Sequence, residues 1–144
     1  RRVALYGVDR LIEEKKKDKS NLAIDNFTVD QVRLSEELFQ QINHLEKLKT
    51  MAAMYGFDIS QPAKDAKEAI QWTYFAYLGA IKEQNGAAMS LGRVSTFFDI
   101  YIQRDIENNE LTEKQAQELI DDFVIKKLII KQNNLILLKE KFFL

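Results

Sequence analysis

Few residues in this chain could do chemistry. Among 144 residues there is no cysteine and a single histidine, His44. That removes disulfides, thiolate metal sites and thiol nucleophiles together. A serine–histidine triad or a histidine metal site would have to use His44 alone. His44 stands beside Leu45, off the apolar stripe of its segment, and reads as a surface or half-exposed side chain. The other candidate is a run of small residues, Gln84-Asn85-Gly86-Ala87-Ala88-Met89-Ser90-Leu91-Gly92-Arg93. Small side chains allow backbone to approach backbone or a ligand closely. On pattern alone that is a weak signal, and the run reads first as a tight connection with Asn85-Gly86 as its turn. It is no phosphate loop, because the lysine and the spacing are absent.

Charge narrows the classes further. Lys+Arg is 21 and Asp+Glu is 22, a formal net charge of -1. No basic face points to nucleic acid, and no polybasic anchor to a membrane. The mixed run Glu13-Glu14-Lys15-Lys16-Lys17-Asp18-Lys19 reads as a solvated helix end. No apolar stretch approaches the ~18 residues of a membrane span, and no export signal is visible. The expected compartment is the cytoplasm. The chain opens on Arg1-Arg2-Val3 inside a helical pattern, which reads as a segment cut from something longer.

The elements that hold these residues read as helices. One proline and five glycines favour long helices over a many-turned β architecture. Hydrophobic residues make up 46% of the chain, enough for a core. A first helix is expected to about Lys17, and residues 20–28 as a loop. Thr28-Val29-Asp30-Gln31 fits a capping box. It opens a helix with Leu38, Phe39, Ile42, Leu45, Leu48 and Ala52 on one face, ending at Gly56. Pro62 is expected in the first turn of the next helix, from about Ala63 to Glu83. That helix is apolar on two faces, Ala66, Ile70, Thr73, Tyr77, Ile81 and Ala69, Trp72, Phe75, Ala76, Gly79. It needs cover on nearly every side, more than so short a chain is expected to supply. Ser95 or Thr96 is expected to cap a helix carrying Phe97, Phe98, Ile100, Tyr101 and Ile102. Thr112-Glu113-Lys114-Gln115 is a second capping box, before a helix with Leu119, Ile120, Phe123 and Val124. Beyond Lys126 the chain fits either a continued helix or a β-prone tail. No internal boundary suggests two domains. The fold class is mostly α, with about five helices.

Several stretches then resemble one enzyme family. These are Arg1-Arg2-Val3-Ala4-Leu5-Tyr6-Gly7-Val8-Asp9, Met51 to Ser60, and above all Glu68-Ala69-Ile70-Gln71-Trp72-Thr73-Tyr74-Phe75 running on through Gln84-Asn85-Gly86-Ala87-Ala88-Met89-Ser90 to Asp99-Ile100-Tyr101-Ile102. Thr112-Glu113 with Gln115-Ala116-Gln117-Glu118 continues the likeness. In this order they resemble pyruvate formate-lyase, or formate C-acetyltransferase, a glycyl-radical enzyme. The resemblance covers residues 1–126, with a more variable patch between Lys15 and Asp30. Residues 127–144 depart from it and read as a diverged or frameshifted tail.

The resemblance implies a helical part of the wall of a larger α/β barrel. It implies acyl transfer in anaerobic fermentation, with pyruvate and coenzyme A giving acetyl-CoA and formate through a glycyl and thiyl radical. The family uses a protein glycyl radical, takes coenzyme A as co-substrate, is served by a radical-SAM activating enzyme and forms homodimers. The family position carried over is Ala87, as a wall of the pyruvate site. No catalytic residue, metal ligand or bound cofactor is expected on this chain, so alone it is expected to be inactive. The competing expectation is a non-catalytic helical remnant, or a docking subunit of a split enzyme.

Overall fold

A computed structural model describes the backbone of residues 1–22, 28–84 and 90–142, and the side chains of these other than 83, 84 and 131–142. The described residues form six helices and no strand. The mostly helical expectation holds, with one helix more than expected. The chain also divides into two compact units, Arg2–Ala63 and Lys64–Leu144 with Arg1. No Gly- or Pro-rich linker marks the division, which is why the sequence does not show it.

In the first unit the extra helix arises at Gly7. The expected single helix is α1, Arg2–Tyr6, and α2, Val8–Ser20. Between them Gly7 has φ 74 and ψ 162, a conformation open essentially to glycine alone. The break has a purpose in the hydrogen-bond pattern. The first N–H groups of a helix lack partners within it, and here Val8 N–H donates to the Ile59 carbonyl (2.9 Å) and Asp9 N–H to that of Ser60 (3.2 Å). A returning strap thus does the work of a capping side chain. The same strap donates Ala63 N–H to the Ala4 carbonyl at 2.8 Å, and Ile59 is fully buried. Pro62 therefore lies in the strap, not in the first turn of the next helix as expected.

α3, Val29–Met54, packs on α2. Its capping box forms as expected, with Gln31 N–H donating to the Thr28 hydroxyl and Thr28 N–H to the Gln31 amide oxygen. It ends as expected at Gly56, φ 80. Phe57 N–H bonds the Ala52 carbonyl and Gly56 N–H that of Ala53, each at 3.0 Å, the paired bonds of a Schellman ending. Leu38, Ile42, Leu48 and Ala52 are buried. Phe39 departs from the expected stripe: it is exposed, with the Lys19 ammonium 5.0 Å from its ring centroid.

The second unit holds α4, Ala66–Gln84, α5, Ser95–Glu107, and α6, Glu113–Phe142. α4 starts three residues later than expected, where the Asp65 carboxylate accepts from Glu68 N–H at 2.7 Å. The expected shortage of cover does not hold along its first turns. Ala66, Ala69, Ile70, Trp72, Thr73, Phe75 and Tyr77 are all buried, and Gln71, Tyr74, Ala76 and 78–81 are half-buried. α4 packs on both α5 and α6. Edge-to-face rings run through this packing, Tyr74 to Phe123 at 6.4 Å and Phe98 to Phe123 at 5.2 Å between centroids. α5 is preceded by Val94 with no side-chain cap, so neither Ser95 nor Thr96 plays the expected part. α6 opens with the expected Thr112–Gln115 box. It then runs on as one helix to Phe142, which decides between helix and β-prone tail.

Candidate functional site

The one expected site residue, Ala87, lies in 85–89, outside the described residues. His44 is exposed on α3, as expected. Among the described residues no group of three His, Cys, Asp or Glu side chains could hold a metal ion. No described helix is long and apolar enough to cross a membrane.

What the second unit does build is a buried carboxylate. Asp105 is 2% exposed, although a buried charge is costly unless fully paired. One of its oxygens accepts from Ala66 N–H, at the start of α4, at 2.6 Å. The other accepts from Arg104 Nε at 3.0 Å and from an Arg104 terminal nitrogen at 2.7 Å. That terminal nitrogen also donates to the Lys64 carbonyl. The hydrogen bonds it donates to Asp105 hold the Arg104 guanidinium above its ordinary pKa. Its guanidinium also sits 5.1 Å from the Tyr101 ring centroid, and burial raises the Tyr101 hydroxyl above its usual value.

The backbone of Asp105 is used as well. Its carbonyl accepts from Glu110 N–H (2.8 Å) and Leu111 N–H (3.1 Å), while Asn109, φ 59, turns the chain out of α5. This is a Schellman-type ending with asparagine at the left-handed position. One residue therefore ends α5 with its carbonyl and caps α4 with its carboxylate. The negative charge at the α4 N-terminus also suits the helix dipole.

The sequence reading missed this residue, though a signal exists. Phe98, Ile102 and Asp105 lie at i, i+4 and i+7, so the carboxylate sits on the apolar stripe of α5. A charge in such a place needs a partner, and Arg104 is next to it. An open groove beside Asp105 is lined by Lys64, Asp65, Lys67, Glu110, Glu118 and Asp122 among others. Its mixed signs offer no single-signed surface to a ligand.

Comparison with known proteins decides the family. Residues 1–142 match the family described as Pyruvate formate lyase-like. The chain belongs to that family. The match to the pyruvate formate lyase-like family also runs through residues 127–142. Formate acetyltransferase 1 of Escherichia coli (strain K12) is 50% identical over 135 residues. That alignment covers 91% of this chain and 18% of the relative, so the chain spans about a fifth of the length of the curated relative it matches.

Proposed function

We propose that this chain is a helical section of a cytoplasmic formate C-acetyltransferase. In that reading the enzyme converts pyruvate and coenzyme A to acetyl-CoA and formate in anaerobic glucose fermentation. It works as a homodimer, after an activating enzyme has placed a radical on a backbone glycine. The observation that carries the reading is the 50% identity to Formate acetyltransferase 1 over 91% of this chain. The glycyl radical and the thiyl radical formed from it supply the carbon–carbon bond cleavage. These 144 residues contain no cysteine, so the sulfur chemistry falls to the rest of the enzyme. The contribution of this section is to shape the site. Ala87, in Asn85-Gly86-Ala87-Ala88, is proposed as a wall against which the three-carbon substrate rests.

Replacing Ala87 by Leu in a full-length enzyme carrying this segment tests the assignment. Overpacking costs ~1–3 kcal/mol, and a three-carbon substrate has few contacts to offset it. Pyruvate turnover is expected to fall on the order of tenfold or more, with little change in melting temperature. Near-normal turnover with a lowered melting temperature would remove Ala87 from the site. The reaction itself is tested by anaerobic assay of formate with the activating enzyme, pyruvate and coenzyme A. The full-length enzyme is expected to release formate, and the isolated 144-residue chain none above background.

A further inference from the structure

α6 changes character along one side. As far as Asp122, the side turned away from the buried Ala116 and Phe123 is polar. Its last two acids are already bonded within the helix, Asp121 to Gln117 and Asp122 to Lys126. From Val124 the same side turns apolar, and Val124, Ile125, Leu128 and Ile129 are each about half-exposed. They stand at i, i+1, i+4 and i+5, so they adjoin one another on successive turns. With Asp121 and Asp122 already partnered, the patch asks for an apolar face and not for a counter-charge.

Size decides what covers it. A specific interface between separate chains takes roughly 20–30 residues a side, because association has to offset lost translational and rotational freedom. Four half-exposed side chains fall far short of that for a second copy. A segment of the same polypeptide is held close by the chain and has much less freedom left to lose, so a patch of this size suffices. The relative has such chain, since the aligned stretch is 18% of its length. The family match runs through the whole patch, to residue 142.

We propose that Val124, Ile125, Leu128 and Ile129 are a docking seam for an apolar-faced segment of the same polypeptide, drawn from the part of the enzyme outside these 144 residues. The inference rests on the reading of this chain as a section of a formate C-acetyltransferase.

The test uses a full-length enzyme carrying this segment. The photo-crosslinking residue p-benzoylphenylalanine replaces Leu128 in one variant, Ile125 in a second, and Gln117, on the polar turns of the same side, in a third. Illumination is expected to join positions 125 and 128 to peptides outside the 144 residues, in a product of monomer mass on a denaturing gel. Position 117 should stay largely unjoined, and either apolar position reports where the other variant does not fold. A product of dimer mass would put a second copy on the face, and a join to α4 or α5 would mean that this section covers it alone. Either result overturns the inference, as does a yield at 125 and 128 no higher than at 117. Ile125→Gln with Leu128→Gln gives an independent reading at nearly unchanged helix propensity. The pair is expected to lower the melting temperature by several degrees. An unchanged melting temperature would overturn the seam, since such substitutions on an open helix face cost little. Formate release by the unsubstituted enzyme is measured beside these. If it releases none while the crosslinks form as expected, the proposed activity has failed and the seam stands. If it releases formate while the crosslinks fail, only the seam is overturned.

Discussion

At Gly7 and Gly56 the backbone asks the same thing of the residue, a positive φ, but the space around them differs. A methyl group on Gly7 would lie 2.3 Å from the Ser60 carbonyl oxygen and 2.6 Å from the Gln61 carbonyl carbon, both backbone atoms. On Gly56 it would meet nothing within 4 Å. Gly56→Ala should therefore cost only the left-handed conformation, about 1–2 kcal/mol. Gly7→Ala should cost that and more, because the strap that accepts from Val8 and Asp9 has to move away. The measurement is a pair of denaturant titrations on one preparation of the full-length enzyme or, where it folds, of the chain. Comparable losses for the two substitutions would show that the strap yields easily and is no fixed cap. Both glycines were visible in the sequence, but only Gly56 could be read. A glycine at the end of a long apolar stripe has one common use. Gly7 is decided by backbone some fifty residues away, and no local pattern encodes that contact.

Helix starts show the same division between local and distant causes. The boxes at Thr28–Gln31 and Thr112–Gln115 could be read because donor and acceptor lie within four residues of each other. The start of α4 could not. It is set jointly by Asp65 and by Asp105, 39 residues further on, so Pro62 drew the expected boundary too early. Ala87, the candidate site residue, came from family resemblance and not from pattern, since small residues between helices serve turns as often as pockets. The local caps make a clean prediction. Thr112→Ala removes the oxygen that accepts from Gln115 N–H at 3.3 Å and should cost about 1 kcal/mol. Thr112→Ser keeps that oxygen and should cost much less. Melting temperatures of the two variants check this. Equal losses would mean that the methyl group of Thr112, and not its hydroxyl, is what α6 uses.

For the molecule as a whole, four large apolar side chains clustered on one helix, α6, are left open among the described residues, whereas the sequence placed the open surface on α4. Val124, Ile125, Leu128 and Ile129 are each 46–55% exposed. They follow Gln117, Glu118, Asp121 and Asp122 along one side of the same helix, opposite the buried Ala116 and Phe123. The early turns of that side are dressed for water, with Gln117 bonded to Asp121 at 2.8 Å and Lys126 paired with Asp122 at 2.6 Å. From Val124 onward the same side turns apolar. A lone exposed leucine needs no explanation, but contiguous apolar patches beyond about 300–600 Å2 are rare on stable monomers. The isolated 144-residue chain should therefore self-associate and bind a hydrophobic dye. Ile125→Glu with Leu128→Glu should cut dye binding several-fold and shift sedimentation toward the monomer, because neither side chain is buried in this chain. Trp72, 3% exposed, should meanwhile keep a blue-shifted fluorescence, the mark of a buried indole. A monodisperse wild-type chain without dye binding would show that the α6 face is covered within the chain itself. A red-shifted Trp72 would return the open surface to α4, the helix whose double apolar face first drew attention to it.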